Sequence, residues 1–202
     1  MKLHGDVISP FVRMCLVSAH HVGLGEKLVF EKTGVKPTEV NTTLERLSPI
    51  AKVPVLETDH HHGIYDSRVI MEYLAHHAGS SDFIPNDGVK RFRVLTLLAL
   101  AQGIADASVS LRYEQAQRPK EYFWGDYAKR LESRINAGLD SLEKDWPDLL
   151  NQVNAGTVAA GCALAYLDFR HPTIAWRTNR PKLGALYDHI SNQPCFKAWP
   201  LN

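Results

Sequence analysis

The sequence predicts an α+β domain followed by an all-helical domain. Strand and helix patterns alternate up to residue 79, whereas the chain after residue 88 shows helical periodicity alone. The segment 80–87 between them is rich in Ser, Asp, Asn and Pro, which is typical of a linker. We therefore expect a first domain at 1–79 and a second at 88–202. The 202 residues are enough to bury a sizeable core.

The first domain is predicted to have the element order βαβαββα. Its first helix begins with Ser9 as the N-cap and Pro10 as the first residue, and Gly23 ends it. Its last helix follows Asp66 and Ser67, because apolar residues then recur with helical spacing. The strands are predicted at 2–4, 27–31, 53–57 and 63–65, and the helices at 10–22, 42–47 and 67–78.

The second domain is predicted to consist of helices. Their apolar positions indicate segments at 89–116, 122–142, 154–169 and 181–192. The third of these is rich in small residues and largely apolar. We expect that helix to be buried on most sides.

Composition argues against several classes of protein. The 23 Lys and Arg residues balance 22 Asp and Glu residues, so no basic stripe indicates a nucleic-acid partner. Three widely spaced cysteines argue against a disulfide framework or a zinc–thiolate site and favour a reducing cytoplasm. The N-terminal residues show no secretory signal. The apolar run 94–101 is far shorter than the about 20 residues that span a bilayer, so no membrane partner is expected.

Five segments spread over the chain combine into a recognisable pattern. Residues 9–13 read SPFVR, residues 48–56 read SPIAKVPVL, and residues 65–74 contain a DS pair followed by YL. Two late helical segments, 163–170 and 193–196, complete the set. In this order they resemble the cytosolic glutathione transferase family, in which the second segment has the form NPxGKVPVL. The first segment is most similar to a bacterial subgroup of serine-type members.

This resemblance implies both a fold and a function. The first domain would be thioredoxin-like and bind glutathione, and the helical domain would contribute a pocket for a small electrophile. Glutathione would be the co-substrate, with no metal required, and the protein would be a cytoplasmic homodimer with 89–116 at the interface. A role in detoxification would follow. The alternative is a non-enzymatic glutathione-binding or protein-interaction module with the same fold.

Ser9 is the candidate catalytic residue, and two interpretations of it stay open. As an N-cap, its hydroxyl would accept a hydrogen bond from the first helical turn, worth about 1 kcal/mol. The resemblance instead implies that the hydroxyl donates to the glutathione sulfur. Lowering a thiol pKa by about two units requires about 2.7 kcal/mol. A hydrogen bond to an anion, about 1.5–3 kcal/mol, is large enough to supply most of that.

Five further residues are candidates for binding glutathione in the first domain. Pro54 interrupts a strand pattern, which indicates an edge strand or, by the resemblance, a cis Val53–Pro54 bond that presents the Val53 backbone to glutathione. Asp66 and Ser67 form a helix cap, and the resemblance implies that the same geometry binds the γ-glutamyl group. The first N–H groups and the Ser67 hydroxyl would hold its carboxylate, and Asp66 would pair with its ammonium group. Lys52 would either hold a glutathione carboxylate or be a solvated surface lysine.

Four other residues are weaker candidates. Lys36 is a second candidate for a glutathione carboxylate, although a solvated surface lysine is the simpler interpretation. The resemblance places the electrophile pocket near Phe11, Arg112 and Tyr113; a surface or interface role for these three is equally well supported by the sequence.

Several other features have mainly structural interpretations. Cys15 falls on the apolar side of the first helix and is expected to be a buried structural thiol. Arg13 is expected to be structural. The histidine tract 60–62 lacks a framework of further ligands, so we expect no metal site there.

Two positions depart from the family pattern. Asp6 replaces a serine that many relatives carry three residues before Ser9, and its charge would oppose a thiolate if it pointed into the site. Thr157 replaces an acidic residue of a capping box, so we expect weaker support for the start of the third helix of the second domain.

Overall fold

The computed structural model describes residues 1–36, 38–59 and 62–201, and it confirms the α+β fold class. The chain forms two compact units. The first contains Met1–Phe92 together with Gln193–Asn202, and the second contains Arg93–Asn192.

The first unit has the predicted element order βαβαββα. Its sheet has the strand order β2-β1-β3-β4, with β1 parallel to β2 and antiparallel to β3, and with β4 antiparallel to β3. Leu3 in the inner strand β1 is fully buried, and two of the helices pack against each other through buried apolar residues such as Val12 and Ile70. The elements are β1 (Lys2–Gly5), α1 (Pro10–His21), β2 (Val29–Lys32), α2 (Thr42–Leu47), β3 (Val55–Glu57), β4 (Gly63–Ile64) and α3 (Ser67–His77).

Two glycines let the elements of the first unit approach closely. A Cβ atom on Gly5, at the end of β1, would overlap the side chain of Val12 in α1. A Cβ atom on Gly63, at the start of β4, would overlap the backbone carbonyl of Leu47 at the end of α2. Any larger residue at Gly63 would therefore have to move the backbone of α2, which cannot give way as a flexible side chain can.

The second unit is helical, as predicted. Every residue from Ala155 to Leu167 in the third of its helices is buried, which confirms the expectation of a central helix. Close packing there depends on Gly156, where a Cβ atom would lie 2.6 Å from Leu97 Cγ. The helices are α4 (Gly88–Ala116), whose first turn lies in the first unit, α5 (Gly125–Asp145), α6 (Ala155–Arg170) and α7 (Pro181–Ser191).

Helix α4 is long and apolar enough to cross a membrane, judged by length and composition alone. Of its most apolar stretch, 56% is buried inside the protein. A buried core helix meets the same criterion, so this property does not indicate a membrane partner.

The start of α6 corrects one expectation. Thr157 occupies the position where an acidic residue was expected, and a weaker cap was predicted for that reason. Its Oγ1 nevertheless accepts a hydrogen bond from the Asn154 N–H at 2.9 Å, while Asn154 Oδ1 accepts one from the Thr157 N–H at 3.1 Å. The capping box is complete because a threonine hydroxyl can accept as a carboxylate does, over a shorter reach.

A short helix near the end of the chain coincides with the late helical segment 193–196 of the sequence pattern. Helix α8 (Pro194–Lys197) packs against α1, so the segment 193–201 belongs to the first unit although the predicted second domain contains it. Arg13 makes this connection: its Nε donates to the Trp199 carbonyl at 2.7 Å, and its guanidinium lies 3.9 Å from the centre of the Phe196 ring. These contacts agree with the structural role expected for Arg13.

Candidate functional site

The turn between β1 and α1 holds Ser9 at the start of the helix. The Ser9 N–H donates to the Asp6 carbonyl at 2.9 Å, and the Ser9 carbonyl accepts from the Arg13 N–H at 3.0 Å. Asp6 Oδ1 accepts a hydrogen bond from the Ile8 N–H at 2.9 Å. Both peptide groups of Ser9 are therefore held by the turn and by the first turn of α1.

The hydroxyl of Ser9, unlike its backbone, is not held by a hydrogen bond within the part of the chain that the structure describes. Ser9 is the N-cap residue of α1, as predicted, but its side chain makes no capping hydrogen bond. It makes no hydrogen bond to any other residue within 1–36, 38–59 and 62–201 either, and the residue is half-buried. The capping interpretation of the hydroxyl is therefore wrong. The first N–H groups of a helix lack intrahelical partners and attract anions, so hydroxyl and helix end together can receive a negatively charged atom.

The segment before β3 contains the Val53–Pro54 peptide, and this bond is cis, as the resemblance implied. Strand β3 begins only at Val55, two residues later than predicted, because a proline has no N–H for the sheet ladder. The alternative of an edge strand is wrong, since β3 lies between β1 and β4. Pro54 is buried and Val53 is half-buried.

Just upstream, Ala51 lies in the left-handed backbone region with φ of 47°. Its N–H donates to the Ser48 carbonyl at 2.9 Å, which closes a turn. This is the position at which the family stretch NPxGKVPVL has glycine, the residue best suited to positive φ. The next residue, Lys52, is exposed.

The start of α3 is a helix cap built by Asp66. Asp66 Oδ1 accepts from the Arg68 N–H at 2.9 Å, and Oδ2 lies 3.3 Å from the Arg68 guanidinium. This confirms the capping interpretation and shows that any ammonium group bound here would share the carboxylate with Arg68. Ser67 is only 2% exposed, so its hydroxyl presents little surface to a ligand. Its carbonyl faces the Sγ of fully buried Cys15 at 3.8 Å, in agreement with a structural thiol.

Lys36 has a partner of its own. Its Nζ lies 2.7 Å from Glu39 Oε1, and both side chains are exposed. Such surface pairs contribute little stability, and this one favours the interpretation of Lys36 as a solvated lysine.

The three residues predicted for the electrophile pocket lie in different units. Phe11 is half-buried near the start of α1 in the first unit. Arg112 is half-buried and Tyr113 is 42% exposed near the end of α4 in the second unit. That they line one pocket stays a prediction.

A buried carboxylate that was not predicted from the sequence lies next to Tyr113 in the chain. Glu114 is 3% exposed, and its two oxygens accept hydrogen bonds from the Trp124 N–H and from Arg118 Nε, each at 2.7 Å. The hydrogen bond from Trp124 is the main cause that lowers the pKa of this carboxyl group, and Arg118 adds to it. A glutamate near the end of a long helix gives no sequence signal of burial. Its partner is ten residues away and comes from a loop.

A polar cavity of about 470 Å³ also lies in the first unit. Its wall includes Lys2, Arg46 and the His4–Glu57 pair, in which His4 Nε2 lies 3.0 Å from Glu57 Oε2. None of the predicted site residues lines it. Among the described residues, no cluster of three or more His, Cys, Asp and Glu side chains could hold a metal ion. Residues 60 and 61 of the histidine tract lie outside the described residues, so the absence of a metal site there stays a prediction.

Comparison with known proteins gives consistent results. The family model "Glutathione S-transferase, N-terminal domain" matches residues 8–77. The chain is 33% identical to a protein of Escherichia coli K12, the "Uncharacterized GST-like protein YibF", over 97% of this chain and 96% of that one.

Solved structures resemble this chain over its whole length. One is a glutathione transferase family member from Pseudomonas fluorescens Pf-5 with bound glutathione, 36% identical, with 99% of both chains covered and a TM-score of 0.95. Another structure from that organism contains S-(propanoic acid)-glutathione, with 36% identity, 100% of both chains covered and a TM-score of 0.90. A glutathione S-transferase from Methylobacillus flagellatus with glutathione bound is 26% identical, with 99% of both chains covered and a TM-score of 0.87.

Proposed function

Because the chain belongs to the glutathione S-transferase family, we propose that it is a glutathione transferase that joins the glutathione thiolate to a small electrophile. The observation that carries the proposal concerns Ser9. Its backbone is held by hydrogen bonds, whereas its hydroxyl makes no hydrogen bond among the described residues. Glutathione and an S-substituted glutathione are bound in the structures of relatives from Pseudomonas fluorescens.

In this reaction Ser9 acts on the sulfur. The thiol loses its proton to solvent, and the Ser9 hydroxyl donates a hydrogen bond to the resulting thiolate. The start of α1 adds a favourable partial charge. The sulfur then attacks the electrophilic centre, so that a new bond to sulfur forms while the electron pair of the broken bond leaves with the departing group or is taken up by the electrophile. Phe11, Arg112 and Tyr113 contact that second substrate.

The remaining candidates hold the peptide part of glutathione. The backbone of Val53 pairs with the cysteinyl residue as an added strand would. Asp66 pairs with the γ-glutamyl ammonium group beside Arg68, and Lys52 holds a carboxylate. Ser67 contributes through its position in the first turn of α3, since its side chain is buried.

The proposal extends to the assembly and its place in the cell. Two apolar residues at the start of α4 are strongly exposed, Val89 at 78% and Phe92 at 68%, which supports a homodimer that covers this region. A cytoplasmic location and a role in detoxification fit a protein that uses reduced glutathione and whose three cysteines are all thiols.

Turnover measurements test the proposal. We expect the wild-type protein to bind glutathione and to conjugate it to at least one member of a panel of electrophiles. Ser9→Ala should lower kcat/KM about 10- to 100-fold, because it removes a hydrogen bond to an anion. Retention on immobilised glutathione without turnover of any electrophile would support a binding module instead. A Ser9→Ala variant with full activity would show that Ser9 is not catalytic.

A further inference from the structure

Asp6 occupies a position at which many relatives have serine, and its hydrogen bonds indicate what the aspartate contributes to the structure. Its Oδ1 accepts from the Ile8 N–H at 2.9 Å, and its carbonyl accepts from the Ser9 N–H at 2.9 Å. A side-chain acceptor that binds the N–H two residues on is the pattern by which Asp and Asn organise tight turns. One residue therefore supplies both acceptors of the turn that leads into α1.

The position of Ser9 depends on this turn. Its backbone φ and ψ of −66° and 122° are extended, and its carbonyl is held from the other side by the Arg13 N–H. The strand before the turn is also fixed, because Gly5 packs directly against Val12. Between Gly5 and Ser9, the Ile8 N–H would lose its partner if the Asp6 side chain were shortened. The Ser9 hydroxyl would then sample more positions.

The carboxylate also brings a negative charge close to the proposed thiolate site. Within the described part of the chain, Asp6 forms no ion pair that would neutralise it. The two properties of Asp6 thus have opposite effects on a bound thiolate. Its hydrogen bond with Ile8 positions Ser9 and favours the thiolate, whereas its negative charge disfavours the thiolate.

We propose that Asp6 is a positioning residue for Ser9, and that its side-chain acceptor, not its charge, is what the reaction requires. This inference rests on the proposed function. It predicts that asparagine, which keeps the acceptor and removes the charge, replaces Asp6 without loss, whereas alanine does not.

The experiment compares Asp6→Asn, Asp6→Ala and, as a control for the loss of one carboxylate, Asp87→Ala in the exposed linker. For each variant we would measure kcat and KM for glutathione, the pH dependence of kcat/KM, and thermal unfolding. Asp6→Ala should lose about 5- to 10-fold in kcat/KM, the equivalent of one backbone hydrogen bond, mainly through kcat. Its pH profile should lie at higher pH than that of Asp6→Asn, because both variants lack the charge and only the alanine variant also lacks the acceptor.

The conservative variant gives the sharper result. Asp6→Asn should keep kcat/KM within about two-fold of wild type or raise it, and its pH profile should move to lower pH because a thiolate forms more easily without the neighbouring charge. Equal losses in both Asp6 variants, or full activity of Asp6→Ala, would overturn the positioning role while the wild-type protein remains an active transferase. A wild-type protein that neither binds nor conjugates glutathione would overturn both proposals.

Discussion

Helices α1 and α6 both begin with a small polar residue, but only the one in α6 caps its helix with its side chain. At the start of α6, Asn154 and Thr157 exchange hydrogen bonds in both directions, and both residues are at most 2% exposed. At the start of α1, the N-cap is also a small polar residue, but the Ser9 side chain makes no capping hydrogen bond and the residue is half-buried. Local rules for a stable helix are satisfied at α6 and left unsatisfied at α1.

This difference indicates that the start of α6 stabilises the fold, whereas the start of α1 leaves a hydroxyl available to bind a ligand. A residue that breaks a local stability rule while its surroundings are well ordered is a candidate for function. The turn around Ser9 is ordered by Asp6, Arg13 and the packing of Gly5, so the unused hydroxyl is not the result of a loose segment.

The largest expected effect on stability comes from breaking the α6 cap. Asn154→Ala removes the acceptor for the Thr157 N–H in a fully buried setting, and we expect a loss of about 2 kcal/mol in the free energy of unfolding. Chemical denaturation measures it. The matched control is Asn41→Ala at the more exposed start of α2, where Asn41 accepts from the Leu44 N–H at 3.1 Å and the loss should be smaller. Equal losses at the two caps would contradict the importance given to burial.

A smaller effect of opposite sign is expected in the first unit. Ala51→Gly relieves the positive φ of 47°, and we expect a gain of about 0.5 kcal/mol after the greater flexibility of glycine in the unfolded chain is subtracted. Thermal unfolding of the variant tests this. The matched control is Ala78→Gly, at a residue with φ of −86°, where the same exchange relieves nothing and should be destabilising. A loss of stability in both variants would show that the backbone at Ala51 is not strained.

The smallest effect is a pH dependence of stability in the second unit. Burial is the main cause that lowers the pKa of His171, and the positive charge of Arg112 lowers it further. The hydrogen bond to the Ser108 carbonyl at 2.8 Å acts in the opposite direction and raises the pKa. The unfolded chain therefore takes up this proton first as the pH falls below about 6.5, so stability decreases from there towards the lower pKa of the folded state. His171→Gln should show a flatter pH dependence in the same unfolding experiment. An unchanged slope would mean that other groups cause it.

Much of this architecture could be predicted from the sequence because it follows local patterns. The end of α2 follows from Pro49, before which a helix usually stops, and the burial of α6 follows from its small and apolar residues. Two predictions were wrong. Strand β3 starts two residues late because Pro54 has no N–H for the sheet, and the segment 193–201, assigned to the second domain, belongs to the first unit because α8 packs on α1.

The candidate site shows the same limit. The sequence indicates which residues can bind glutathione, but not that the Ser9 hydroxyl lacks a capping bond or that Asp6 binds the Ile8 N–H. The geometry of the turn decides which side-chain acceptor binds a backbone N–H. Two residues that are equally common at helix starts can therefore make different hydrogen bonds. The second substrate is harder still, because Phe11 and Arg112 lie far apart in the chain and no local pattern joins them.

The central claim is that the Ser9 hydroxyl serves a bound thiolate and not the helix. The most direct test is a pH titration of glutathione bound to wild type and to Ser9→Ala, followed by thiolate absorbance, with chemical denaturation of both proteins. We predict that the pKa of the bound thiol rises by about one unit or more in Ser9→Ala, while the free energy of unfolding changes by less than about 0.3 kcal/mol. An unchanged thiol pKa together with a loss of about 1 kcal/mol in stability, the value of an N-cap, would contradict it.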